Sequence, residues 1–177
     1  IAETIPNCVS YAPTFSYALA VIIQEGLRRM VQNQEDVYYY ITLMNENYTH
    51  PEMPKDSAEG ILKGMYSFSK SKATKDSKSP KVQLMGSGVI LREVIAAGDL
   101  LEKDWGVSAD VWSVTSFTEL RREGIDAERQ NMLNPEAKPR LSYVAQCLQK
   151  AEGPVIASTD YMRSFADQIQ NFVPQRF

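Results

Sequence analysis

The stretch VYYYITLMNENYTHPEMP, Val37 to Pro54, decides how the chain is read. It opens as a sheet strand, Val37 to Met44, with three tyrosines and β-branched neighbours. It then turns polar at Asn45-Glu46-Asn47 and runs into two prolines. Two readings of Asn45-Glu46-Asn47-Tyr48 stand side by side. In open α/β sheets ligands bind just beyond the carboxyl ends of strands, and buried amides and acids there need partners. Alternatively, the side chains bond their own backbone in an Asx-type turn. The residues alone support both.

Working outward, the elements alternate. Thr4 to Ser10 reads as an extended approach or strand. Phe15, Leu19, Ile22, Ile23, Gly26, Leu27 and Met30 fall at helical spacing and define one apolar face. Pro13 suits a first helical position, and Ala12 stands where a capping Asp, Ser, Thr or Asn is expected. Asp56-Ser57-Ala58-Glu59 is a capping-box pattern opening a short helix through Gly64. Met65 to Ser69 is a candidate strand, and Lys70 to Ser79 a polar connector expected to be mobile. Lys81 to Met85 is a strand, Gly86-Ser87-Gly88 a turn, and Val89 to Lys103 a helix. Asp110 to Val114 is a strand, and Ser116 to Glu119 a second capping box opening a helix to Arg122. Gly124 is expected as its left-handed cap, with a separate short helix at Ala127 to Leu133. Leu141 to Gln149 is helical, Pro154 to Ser158 a strand, and Tyr161 to Phe172 a helix. Strand–helix alternation of this kind implies an α/β layer with a largely parallel sheet.

Composition narrows the function. The 177 residues are 44% hydrophobic and 23% charged, with a net charge of −3. Both signs are dispersed, so no basic stripe invites nucleic acid. No window approaches the length of a membrane span. Cys8 and Cys147 sit among apolar residues and read as buried thiols of a reducing compartment rather than a disulfide framework. The opening at Ile1 lacks a signal peptide, and both ends read as cut from something longer.

Few motifs carry chemistry. Gly86-Ser87-Gly88 lacks the third glycine of a dinucleotide fingerprint, since Leu91 stands there, and reads as a tight strand–helix turn. His50 is the sole histidine, with no paired nucleophile, and one His with two distant Cys gives no zinc spacing. Glu93, Glu102 and Asp104 read as a solvated face. Trp105 and Trp112 flank a strand and are expected in the core.

The segments IPNC (Ile5 to Cys8), VYYYITLMNENYTHPEMP, KVQLMGSGVILREVIAAGDLLEKDWGV, SVTSFTELRREG and ASTDYMRSFADQI together resemble one family along the whole chain. It is the thiamine-diphosphate-dependent decarboxylase component of the bacterial pyruvate dehydrogenase complex, of the single-chain homodimeric type. Its members are several times longer. The resemblance implies that residues 1–54 are the C-terminal part of a pyrimidine-binding middle domain. Residues 55–177 would be most of a transketolase C-terminal-like domain. It further implies thiamine diphosphate and Mg2+ as cofactors, pyruvate as substrate, and a cytoplasmic homodimer. The partner would be the dihydrolipoyl acetyltransferase, whose lipoyl group is reductively acetylated.

The family's Gly-Asp-Gly…Asn motif for Mg2+ and diphosphate is absent, and its glutamate and histidines match no position here. The resemblance therefore assigns no catalytic, cofactor-binding or metal-ligating residue to this chain, which alone is expected to be inactive. Where related transketolases carry an arginine for a substrate phosphate, this sequence has Asn45, which suits a substrate without phosphate. Asn45, Glu46 and Asn47 are thus expected at the rim of a substrate pocket. The family usually carries Asp before Pro13 and Glu near position 18; here stand Ala12 and Ala18. On the capping reading, Asp at position 12 would raise stability. Two alternatives remain at this level: another enzyme of the transketolase superfamily, or a non-catalytic α/β interaction module.

Overall fold

The structure, a computed structural model, describes residues 4–71 and 79–177. The expected mobile connector lies largely outside the described residues. The chain builds two sheets. The first is a parallel pair, β1 (Cys8–Tyr11) and β2 (Tyr38–Ile41), in register Cys8 to Tyr38 through Tyr11 to Ile41. Helix α1 (Ser16–Leu27), continued by a π turn at Arg28–Gln32, links them. The link is a helical crossover, as a parallel pair requires.

The second sheet holds β3 (Met65–Ser69), β4 (Lys81–Ser87), β5 (Ser108–Val114) and β6 (Val155–Ser158) in the order β3-β5-β4-β6. Only β3 runs antiparallel, so the expected mixed α/β layer with a largely parallel sheet is what forms. Helix α2 (Ala58–Lys63) precedes β3, and Gly64 closes it at φ 108°. Helix α3 (Ile90–Trp105) follows β4 and packs Leu91 and Val94 against Val82, Leu84, Ala109 and Val111. Helix α4 (Phe117–Leu133) follows β5 and packs on the opposite face. There Phe117 and Leu120 meet Met85, Trp112 and Val114. Helices α5 (Tyr143–Leu148) and α6 (Arg163–Asp167) complete that face. Alternation along β4 explains the split, because successive side chains point to opposite faces.

Several expectations are corrected. Strand β2 stops at Ile41, not Met44, and Tyr38 and Tyr40 stay exposed. The expected apolar face of α1 is buried only in part: Phe15, Ile22 and Gly26 face inward, joined by Ala18, whereas Ile23, Leu27 and Met30 are exposed. The small residues let the helix sit close to the sheet, and Gly26 meets the ring of Tyr39. Helix α1 begins at Ser16 after Phe15, so Pro13 is not its first residue and Ala12 is not its cap. The stabilisation expected from Asp at position 12 through capping therefore has no basis.

The first capping box does not form. The Ser57 hydroxyl donates to the Pro54 carbonyl instead, and Asp56 takes a left-handed φ of 58°. The second forms by half: Ser116 Oγ accepts from the Glu119 amide at 3.0 Å, while the Ser116 amide goes to Gly64 O. Gly124 is not a cap but an interior residue of α4, which runs unbroken through both expected helices. A Cβ there would lie 2.5 Å from the Phe172 ring, so glycine is required by close approach, not by its φ. The helix expected from Tyr161 to Phe172 is the short α6 followed by a 3-10 turn at Gln170–Phe172. Met162 is exposed, while Ile169 and Phe172 are in the core. Trp105 is also exposed, at the end of α3, whereas Trp112 is buried and donates to Gln83 Oε1 at 2.8 Å. Cys8 and Cys147 are free thiols, the first buried and the second half-buried.

Candidate functional site at the junction of the two sheets

The connections out of β4 and β5 leave to opposite faces of the sheet. That divergence opens a crevice at the carboxyl ends of the two strands, where open α/β sheets take their ligands. Here the crevice receives a piece of the same chain. The carbonyls of β1 at odd positions face β2: Asn7 O accepts from Tyr38 N, and Tyr11 O from Thr42 N. The even-numbered carbonyls point to the free edge, and each finds a donor on the second sheet's side. Cys8 O accepts from Arg122 Nη1 at 2.8 Å, Ser10 O from Ser116 Oγ at 2.6 Å, and Ala12 O from the Gly88 amide at 3.1 Å. The Ala12 amide donates to Thr115 O at 2.8 Å, and Thr14 Oγ1 donates to Gly88 O at 2.6 Å. Arg122 Nη2 also reaches Ile5 O at 2.7 Å, and Glu119 holds the guanidinium at 2.8 Å.

The edge of β1 is thus closed by side chains and turn amides rather than by another strand, one of the ways an edge is protected from stray pairing. Gly88 is suited to this. Its φ of 57° aims the amide out of the turn, and a Cβ would point at Ala12. The Gly86-Ser87-Gly88 turn therefore grips protein backbone.

The NENY segment is fastened a short distance away. The Tyr48 hydroxyl donates to Thr14 O, and Arg92 of α3 lies 4.6 Å from the centre of the Tyr48 ring. The His50 ring packs against Tyr48, tilted by 33° with centroids 4.7 Å apart, and its Nδ1 accepts the Ser16 amide at 3.1 Å. His50 thus acts as the side-chain cap of α1 that position 12 does not provide. Asn45, Glu46 and Asn47 are all exposed. Glu46 reaches Arg92 at 3.3 Å, an exposed pair of small energetic weight.

Between β1–β2, the carboxyl ends of β4 and β5, and the start of α6 lies a cavity of about 620 Å³. Tyr38, Tyr40, Phe117 and Phe165 give it apolar walls, and Ser87, Ser116 and Thr118 give it hydroxyls. Asn45, Glu46 and Asn47 do not line it. Sequence reasoning missed its lining and missed Arg122. The signal for Ser116 was present but pointed only to a cap, and nothing local marks the grip of Arg122, whose carbonyl partners lie more than a hundred residues away.

Buried tyrosines stiffen the junction. Tyr11 donates to Leu62 O at 2.7 Å, and Tyr17 and Tyr66 share a 2.7 Å hydroxyl contact. Burial pushes the hydroxyl pKa of each well above its ordinary value, so they work as neutral hydrogen-bonding groups. Burial likewise raises the Cys147 thiol, beside Tyr143. Among the described residues no three His, Cys, Asp or Glu side chains converge to hold a metal, and no helix is long and apolar enough to cross a membrane. The residues present do not fit Mg2+ or a diphosphate.

Comparison with known proteins agrees with the two-part construction. Residues 1–51 match the family described as the pyruvate dehydrogenase E1 component middle domain. Residues 64–175 match the transketolase-like TK C-terminal domain. Over 98% of its length the chain is 62% identical to the pyruvate dehydrogenase E1 component of Cupriavidus necator, covering 19% of that protein. It is 56% identical over 99% of its length to that of Pseudomonas aeruginosa, covering 20%. With that of Escherichia coli it shares 54% over 97%, again covering 19%. The chain therefore spans about a fifth of the curated relatives it matches. Among solved structures, a transketolase from Pichia stipitis superposes with a TM-score of 0.58 at 17% identity, covering 99% of this chain and 21% of that one. At that identity the likeness speaks for the fold.

Proposed function

The chain belongs to the transketolase-like TK C-terminal domain family, and on that premise we propose that it is the part of a pyruvate dehydrogenase that locks the end of the middle domain in place. The enzyme decarboxylates pyruvate with thiamine diphosphate and Mg2+ and reductively acetylates the lipoyl group of a dihydrolipoyl acetyltransferase. It works as a cytoplasmic homodimer. The observation that supports this reading is the 62% identity to the Cupriavidus necator protein along nearly the whole chain. The cofactor, when bound, supplies the electron sink for decarboxylation. Its ligands come from other parts of the polypeptide, because this chain has neither the motif nor the side chains.

On this reading the domain boundary falls between Pro54 and Lys55. The two sides are joined by the donors that Arg122, Ser116 and Gly88 present to β1. The chain's work is orientation. A cofactor enzyme needs its reactive atoms held within a fraction of an ångström, so rigid support far from the chemistry affects rate. The clasp of Tyr48, His50 and Arg92 holds Asn45, Glu46 and Asn47 outward, where they form a rim toward the substrate. The uncharged amides of Asn45 and Asn47 suit pyruvate, which carries no phosphate.

The test is calorimetric titration of thiamine diphosphate with Mg2+ into this 177-residue chain and into the full-length polypeptide. The full-length protein binds and consumes pyruvate, and the isolated chain does neither. Tight binding by the isolated chain would refute the division of labour.

A further inference from the structure

Strand β1 has both of its edges occupied, whereas β2 has one. The amide and carbonyl of a strand residue point to the same side. The amides of Tyr38, Tyr40 and Thr42 face β1, so those of Tyr39 and Ile41, with their carbonyls, point to the far edge. Among the described residues nothing pairs with them there. The strand, YYYI, carries none of the charges or prolines that blunt a free edge. One face of β2 is bare as well. Val9, Tyr11, Tyr39 and Ile41 turn toward Ala18 and Ile22 of α1. Tyr38 and Tyr40 turn the other way, 44% and 55% exposed, into the junction cavity. Parallel sheets occur almost only with both faces covered, and two strands alone make a marginal sheet. On α1, Ile23 and Leu27 lie beside the inward Ile22 and Gly26, and with Met30 and Val31 they form a bare apolar flank.

Chemistry and chain length select the occupant. No Lys, Arg, His, Asp or Glu lines the cavity, so a charged segment would find no partner beside Tyr38 and Tyr40. The middle-domain match spans residues 1–51, and the whole chain covers 19% of the Cupriavidus necator protein. We propose that β1 is the edge strand and β2 an interior strand of a wider sheet, completed by the rest of the middle domain in the same polypeptide. One strand of that domain pairs with Tyr39 and Ile41, and an apolar segment of it lies on Tyr38 and Tyr40. The outer edge of β1 is already taken by Arg122, Ser116 and Gly88, so the sheet grows only past β2. The chain therefore leaves one place open when it lays down β1, and returns through α1 to fill that place with β2. The proposal rests on the reading of this chain as part of a longer enzyme.

The test uses the full-length protein. Hydrogen exchange of the unaltered protein is followed by mass spectrometry over the peptide from Tyr38 to Thr42. All of its amides exchange slowly. Early uptake of two deuterons, those of Tyr39 and Ile41, would show an open edge and overturn the pairing. The occupant is identified with the variant Tyr40→p-benzoylphenylalanine, irradiated and read by peptide mass spectrometry. The crosslink joins position 40 to a peptide ahead of residue 1 in the same polypeptide, with no change in subunit mass. A species of two subunits' mass, attachment to another protein, or crosslinks confined to residues 1–177 would each overturn it. Pyruvate decarboxylation by the unaltered protein is measured separately, so that failure of the enzymatic reading is distinguished from failure of this one.

Discussion

Replacing Arg122 by methionine removes the guanidinium but keeps an unbranched apolar stem of similar length. Arg122 donates to Cys8 O at 2.8 Å and to Ile5 O at 2.7 Å. Hydrogen bonds to a charged group contribute about 1.5–3 kcal/mol each. The two carbonyls will not fare alike once it is gone. Cys8 is 2% exposed, so its carbonyl is left dry and unpaired, whereas Ile5 is half-buried and its carbonyl can find water. Glu119 also loses its partner, but it is partly exposed and can be solvated. The net cost is therefore nearer one full bond plus a desolvated carbonyl, about 2–4 kcal/mol. For a chain of this size that lowers the melting midpoint by about 5–10 °C. The assay is thermal unfolding followed by circular dichroism, with Arg163→Met as the control. Arg163 is almost wholly exposed and, among the described residues, forms an ion pair with Asp167 at 3.2 Å, so its removal costs less than about 0.5 kcal/mol. A shift for Arg122→Met no larger than that of the control would refute the claim that this side chain holds the two sheets together.

Other consequences are equally concrete. Ser116→Ala loses both the cap on α4 and the donor to Ser10 O, and should cost about 1–2 kcal/mol in urea unfolding; a midpoint equal to the parent's would argue against both. Gly124→Ala drives a methyl into the Phe172 ring and should cost about 1–3 kcal/mol, where a merely helix-propensity effect would stabilise. His50→Ala should speed proteolysis within residues 42–54 several-fold while barely moving the melting midpoint; unchanged cleavage would remove His50 from the clasp. Cys8 and Cys147 should react with a thiol reagent only on unfolding, because the first is buried and burial raises the second's pKa; fast labelling of the native protein would contradict the packing around them.

The alternation of strand and helix was legible because it is local. Lys81 to Met85, Asp110 to Val114 and Pro154 to Ser158 carry their β-branched and apolar residues in the chain itself, and Ser116 announces the start of α4. Two of the failures share a cause. Gly124 looks like a helix stop until Phe172 is seen against it. Leu27 and Met30 look like core until the small residues Ala18 and Gly26 are found to lie inward instead. Asp56 looks like the start of a capping box, but it takes a left-handed φ of 58° and no side chain caps α2. For Gly124 and for α1, tertiary packing overrides a local preference. The junction was the least legible part, because the carbonyls of Cys8, Ser10 and Ala12 are read by residues 76 to 114 positions away. No periodicity or motif encodes such a contact. The NENY segment lies beyond the end of β2, and its fastening by Tyr48 and His50 accounts for an exposed polar stretch there.

The most direct test of the account is a lipoyl acetylation assay on the full-length protein. With thiamine diphosphate, Mg2+ and pyruvate it should reductively acetylate a lipoyl domain. Transfer of a two-carbon unit between sugar phosphates, with no acetylation from pyruvate, would contradict the account and place the protein elsewhere in the transketolase fold.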